Sequence, residues 1–230
     1  MDDISVLRKK ERNKGIWAVA LWVLVTLLGG VIIGIIAAIP EIAAGNTSDF
    51  VLSTTSMAFA IFLPNSILFL VFIFMYRKTI ADCFRSLDKK LCKLIAIGAS
   101  ITLAVNIVIG MVLTFFNVSN ENQELLNTIF KEYPLISFIG FALMAPFVEE
   151  VVFRKGFSDI FRNNTVFVIV SSLLFGLIHG FSLAALLYVA LGVCLSVLFI
   201  KMNKNIVAIA MVHILNNLIA TLLMMLTLTS

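Results

Sequence analysis

From Ile16 to Ile39 the chain runs without a single charged residue. A helix that crosses the hydrocarbon core of a bilayer needs roughly 20 such residues. Six further apolar stretches follow: Val51 to Tyr76, Leu94 to Phe116, Pro134 to about Phe161, Val166 to Gly180, Leu183 to Ile200 and Ile206 to about Leu228. The runs are continuous, which excludes a membrane barrel, whose strands alternate apolar and polar residues. The first run is longer than the roughly 7–15-residue core of a signal peptide, so it reads as a retained span. Composition removes the soluble alternatives. Hydrophobic residues make up 61% of the 230 and charged residues 13%, about half the charged share of a soluble domain. So few charges cannot cover a globule, and the apolar content excludes a disordered chain. Cys83, Cys92 and Cys194 are odd in number and lack framework spacing, so free thiols are expected. The expected fold class is all-α, a polytopic helical membrane protein with about seven to eight spans.

Lysine and arginine placement sets the orientation. With the N-terminus in the cytoplasm, the tail, the loop at 77–93, the segment at 154–162 and the loop at 201–204 all fall inside. They hold every Lys and Arg of the 17 except Lys131. The outer loops carry Glu41, Asp49, Glu121, Glu124 and Glu132. The formal charge of +4 is therefore an orientation signal that needs no nucleic-acid partner. The expected location is the cell membrane, as a multi-pass protein. Pro64 is expected to bend the second span. Residues 1–133 read as a tail and three accessory spans of bland composition, and 134–230 as a core of four spans. That core holds every ionisable group expected within the membrane.

A charge within a span is costly, so each such group marks a candidate site. Three clusters qualify. In Glu149-Glu150-Val151-Val152-Phe153-Arg154, Glu150 and Arg154 are four apart and stack on one helix face. Arg154 can neutralise Glu150, while Glu149, rotated by about 100°, stays free for chemistry. The bland counterpart is a helix-end salt bridge. In Phe175-Gly176-Leu177-Ile178-His179, the aromatic and the histidine lie one turn apart. In His213-Ile214-Leu215-Asn216-Asn217, His213 and Asn217 share a face and can donate to one oxygen between them; inter-helix hydrogen bonding is the bland counterpart. Extending the fourth helix to about Phe161 lets all three clusters meet near the midplane.

Together they form a hydrolytic set. Glu149 and His179 could hold and deprotonate a water, and His213 and Asn217 could stabilise an oxyanion. Glu149, His179 and His213 also match the ligand types of a catalytic zinc site with an open position, although the HExxH pattern is absent. Ser171, Ser172 and Ser182 lie near His179, but serine in spans usually serves packing.

These clusters resemble the motifs of the CPBP family of intramembrane proteases, also called the CAAX-protease-and-bacteriocin-processing or Abi family. EExxxR is matched by Glu149, Glu150 and Arg154, FxxxH by Phe175 and His179, and HxxxN by His213 and Asn217. The resemblance covers about Pro134 to Leu228. It implies hydrolysis of peptide bonds within or at the membrane. Glu149 and His179 would activate water, and His213 and Asn217 would form the oxyanion hole. Glu150, Arg154 and Phe175 would be supporting. Family members with about eight spans are common, which implies a re-entrant or amphipathic segment beyond the seven. Cofactor use stays open between none and one divalent metal such as zinc.

The implied partners are a peptide or membrane-protein substrate and the lipid bilayer. Roles in bacteriocin self-immunity or in processing signalling peptides follow from the bacterial branch, and the compact chain is expected to be bacterial rather than a trimmer of prenylated proteins. Two other classes share the pattern: a non-catalytic immunity or scaffold protein, and a transporter using the buried Glu and His as a proton relay.

Overall fold

The structure, a computed structural model, describes residues 2–43, 53–181 and 183–229. The described residues form eight helices and no strand: α1 (Asp2–Ala43), α2 (Thr54–Arg85), α3 (Lys89–Phe115), α4 (Glu121–Glu132), α5 (Pro134–Ile160), α6 (Asn164–Leu177), α7 (Leu183–Lys201) and α8 (Ile206–Thr229). Their starts are written in the sequence. The side chains of Ser53, Asp88, Asn120, Asn163 and Asn205 accept from backbone N–H groups of the first turns of α2, α3, α4, α6 and α8. Each satisfies a donor that a helix cannot pair internally.

Three expectations need correction. Among the described residues, six helices are long and apolar enough to cross a membrane, against the seven to eight spans expected. The stretch at 166–180 forms the 14-residue α6, about 21 Å at 1.5 Å per residue and short of a roughly 30 Å core. Tight backbone bonds from His179 N to Gly176 O (3.1 Å) and from Gly180 N to Leu177 O (3.3 Å) end it, and Gly180 holds φ +133°, a region that L side chains rarely adopt. Second, the polar tail and the basic loop at 77–93 are mostly helical. They extend α1, α2 and α3 beyond their apolar runs, leaving only 86–88 as a turn between α2 and α3. Third, the polar segment 117–133 contains α4, an amphipathic helix. It is tied to α2 by a Tyr133–Thr55 hydroxyl pair at 2.6 Å. Within the loop expected at 41–50, Asp49 lies outside the described residues.

α2 runs on through Pro64. On the turn that the missing N–H loosens, Asn65 donates to Ile61 O (2.8 Å) and Ser66 to Phe62 O (2.7 Å). The helix that positions the site is α5, which packs against α1, α2, α6 and α8. It is widened by two π-helical segments, Phe138–Met144 and Glu150–Gly156, in an otherwise α-helical run. Such insertions concentrate at functional sites. An aromatic ladder runs along its C-terminal end: Phe153 meets Trp22 edge-on at 5.4 Å and stacks on Phe157, which stacks on Phe161. A cavity of about 630 Å³ opens where Lys90, Lys201 and Asn205 meet Glu11, Asp82 and Asp88.

Candidate active site

The first glutamate pair divides as its spacing predicts. Glu150 and Arg154 are fully buried, with Arg154 Nε 3.2 Å from Glu150 Oε2. The contact is an ion pair without hydrogen-bond alignment, because neither of those atoms has a hydrogen-bond partner. The guanidinium lies over the Phe175 ring at 4.6 Å, a cation–π contact that strengthens as water is removed. The second oxygen of Glu150 accepts from His213 Nδ1 at 2.8 Å. Glu150 is thus closed between an arginine on its own helix and a histidine on α8. Glu149, one residue earlier, keeps 18% of its side chain exposed and faces His213 Nε2 at 3.8 Å.

His179 is fixed differently. Its Nδ1 lies 2.7 Å from Phe175 O. A carbonyl only accepts, so Nδ1 carries the hydrogen, and in the neutral ring Nε2 is left with its lone pair. The ring tilts against Phe175 at 4.7 Å, and Phe175 also meets His213 at 6.0 Å. Glu149, His213 and Arg154 all lie close enough to His179 to act on it electrostatically. The FxxxH segment is set on α7 by Gly176, where a Cβ would stand 2.8 Å from Ala185 O. That close approach brings α6 hard against its neighbour and carries Phe175 into the core.

Asn217 does something that its spacing alone does not announce. In the first π segment of α5 the bonds run five residues back, as from Ala145 N–H to Gly140 O. The next bond in that register would run from residue 146 to Phe141 O. Residue 146 is proline and has no N–H. Asn217 Nδ2 donates to Phe141 O at 3.1 Å instead. In the second π segment, Phe153 O is taken by the Ser171 hydroxyl at 2.5 Å. Side chains from α8 and α6 therefore complete carbonyls beside each irregular stretch of α5.

The structure thus brings Glu149, Glu150, Arg154, Phe175, His179, His213 and Asn217 to one locus where α5, α6 and α8 meet. It differs from the expected pairings in two respects. The nearer partner of Glu149 is His213, not His179. His213 and Asn217 do not share one acceptor: the first is engaged by Glu150 and the second by Phe141 O. Among the described residues no three His, Cys, Asp or Glu side chains are placed to hold a metal ion, so Glu149, His179 and His213 as they stand do not fit one. Ser171 is spent on Phe153 O, Ser172 is buried without a hydrogen-bond partner, and Ser182 lies outside the described residues.

Sequence reasoning missed one neighbour. Tyr188 on α7 stacks on the His179 ring, centroids 4.2 Å apart and planes 12° apart. Its signal was a polar-tipped aromatic inside an otherwise apolar helix.

Residues 131–219 match the family described as type II CAAX prenyl endopeptidase Rce1-like. Among curated proteins, the chain is similar to three from Lactococcus lactis subsp. lactis (strain IL1403). UPF0177 protein YajF is 30% identical over 120 residues, covering 50% of this chain and 59% of that protein. UPF0177 protein YvdC is 37% identical over 90 residues, 37% of this chain and 34% of that protein. UPF0177 protein YaiH is 34% identical over 68 residues, 29% of each. The chain therefore spans less than two thirds of the length of the curated relatives it matches. No solved structure matches it.

Proposed function

We propose that the chain is an intramembrane endopeptidase, a reading supported by the match of residues 131–219 to the Rce1-like family. It hydrolyses a peptide bond in a peptide or membrane-associated protein. The observation that carries this reading is the unequal treatment of two adjacent carboxylates. Glu150 is sealed between Arg154 and His213, whereas Glu149 is the one left partly exposed. A carboxylate that has spent its charge on a buried arginine and a histidine cannot take a proton from water. A neighbour that meets only His213, at 3.8 Å, and stays partly exposed can act as general base.

In this mechanism Glu149 and the Nε2 lone pair of His179 orient a water; Glu149 takes its proton as the oxygen attacks the carbonyl and returns it to the amine nitrogen as the C–N bond breaks. Glu150 accepts from Nδ1 and fixes the plane of His213, leaving Nε2 directed toward Glu149. The second N–H of the Asn217 amide stabilises the charge that develops on the carbonyl oxygen, joined by His213 when its Nε2 also carries a hydrogen. Arg154 and Phe175 hold this frame without touching substrate. The protein sits in the cell membrane with its N-terminus in the cytoplasm. Its substrates are peptides of the bacteriocin-immunity or signalling kind, or membrane proteins, rather than prenylated ones.

A rival reading, a non-catalytic membrane protein that binds a peptide or partner, draws on the same closed network, since both His213 and Asn217 already have internal partners. Comparing the protein termini of cells carrying wild type or Glu149→Gln separates the two. The endopeptidase reading expects a set of cleaved termini that vanishes in the variant while the protein still accumulates. Identical termini with retained biological effect would sink it.

A further inference from the structure

The bond from His179 Nδ1 to Phe175 O decides which nitrogen carries the hydrogen, and it pins one point of the ring. It does not fix the plane, because a ring held at one atom can still swing about that bond. The plane decides where Nε2 points, and a lone pair that orients a water must be aimed at its hydrogen. A second constraint is needed, and it comes from outside the three sequence clusters. Tyr188 lies nearly parallel to the imidazole, 4.2 Å away and 12° inclined. Offset stacking of this kind favours one relative orientation of the two rings.

Tyr188 is itself held. Its hydroxyl accepts from Asn120 Nδ2 at 3.1 Å and lies 3.4 Å from both Asn120 Oδ1 and Asn122 Nδ2. Asn120 is also the residue whose side chain starts α4, accepting from Gln123 N at 3.2 Å. One asparagine therefore caps the amphipathic helix and anchors the aromatic that flattens His179. α4 in turn is tied down through Tyr133 to Thr55 of α2. The orientation of an imidazole after α6 is set by a segment more than fifty residues earlier in the chain.

From this geometry we infer that Tyr188 is the positioning residue for His179, and that Asn120 sets Tyr188 from the start of α4. The inference rests on the endopeptidase reading for its catalytic meaning, but the placement of the ring stands apart from it and can be tested apart. Tyr188 touches no reacting atom; it acts through His179.

The chain contains two histidines, so selective histidine labelling of the full-length protein in nanodiscs gives two ring signals, assigned with His179→Gln. Tyr188→Leu should move the His179 ring protons downfield, since the stacked ring no longer shields them, and leave the His213 ring in place. Tyr188→Phe keeps the stacking ring but loses the bond to Asn120, so its His179 shifts should lie between those of wild type and Tyr188→Leu. In a cleavage assay, Tyr188→Leu should lower kcat roughly tenfold with KM little changed and alter the pH profile, because a misaimed water costs rate rather than binding. Tyr188→Phe should recover only part of that loss, because the ring remains and its anchor to Asn120 is gone. If Tyr188→Leu moves neither ring, or moves both alike, or keeps the wild-type kcat, the inference is overturned. Activity retained in Glu149→Gln would instead overturn the endopeptidase reading, while the ring shifts would still report on Tyr188.

Discussion

The first three helices and the last four solve opposite problems in the same solvent. None of the most apolar stretch of α1 is buried, and only about a fifth of those of α2 and α3 is, against half of those of α5 and α8. On α1, Leu24, Leu27, Val31 and Ile35 all face outward. In lipid this costs nothing, because acyl chains solvate a leucine as well as another leucine does, so apolar surface supplies no net drive to associate. The later helices are joined by what lipid cannot solvate: Glu150, Arg154, His213, Asn217 and Ser171, each placed inward against a polar group or an aromatic face. Apolarity puts the chain into the membrane, and the few polar side chains decide how it folds there.

The sharpest way to break this contrast is Arg154→Met. It keeps the volume and leaves Glu150 buried with His213 alone. Removing one partner of a buried pair costs about 3–5 kcal/mol. Thermal unfolding in detergent should therefore shift strongly downward, and His213 should lose its fixed orientation. The double substitution Glu150→Leu with Arg154→Met removes both charges and should recover much of the melting temperature without recovering any cleavage. If the single change leaves the melting curve unmoved, the pair does not organise the core.

Gly176→Leu comes next. A Cβ at this position already stands 2.8 Å from Ala185 O, so α6 and α7 must separate. Overpacking of this kind costs about 1–3 kcal/mol. The larger consequence should fall on cleavage, since Phe175 and His179 ride on α6. A kcat reduced more than stability is the expected pattern, read by comparing turnover with the melting temperature of the same preparation.

How much of this was legible in the chain follows from the physics of each signal. Apolar runs are local, so the starts of α6 near Val166 and of α8 at Ile206 and the residues of the three clusters could be read directly, whereas the start of α3 at Lys89 lay inside a stretch expected as loop. Which polar atom meets which could not. The i,i+4 spacing of Glu150 and Arg154 is a property of one helix, and it held. The partner of His213 depends on how α8 is rotated against α5, and spacing is silent on rotation. The shortness of α6 was also hidden, because hydropathy continues through Ile178 while the backbone has already turned. Asn217 had a signal that spacing did not use: Pro146, in the middle of a span, must leave a carbonyl wanting, and some donor has to supply it.

That pairing gives a smaller effect and a cleaner test. Pro146→Ala restores an N–H that can reach Phe141 O and so relieves Asn217 of its task. Asn217→Ala in the wild-type background should cost about 1 kcal/mol for the lost bond and the carbonyl left unpaired. In the Pro146→Ala background the same substitution should cost measurably less. The coupling between the two changes is the quantity to measure in a double-mutant cycle on thermal stability. Additive effects would mean that the contact with Phe141 is incidental. Cleavage should fall in Asn217→Ala in both backgrounds if its second N–H serves the oxyanion, because restoring the helix bond does nothing for that role.

The least effect is expected on the other side of the comparison. Leu27 on α1 is 64% exposed to the surroundings of the bundle, and its removal as Leu27→Ala leaves a lipid-facing surface that acyl chains refill. Stability in nanodiscs should stay within about 0.5 kcal/mol of wild type, with cleavage unchanged. Gly29 on the same helix is the control that keeps this from being trivial. A Cβ there would meet the Pro64 ring of α2, so Gly29→Leu should push α1 off α2 and lower the melting temperature. If Leu27→Ala matched Gly29→Leu in its effect, the exposed face of α1 would be holding a partner rather than lipid. The contrast between an apolar shell and a polar core would then have to be redrawn.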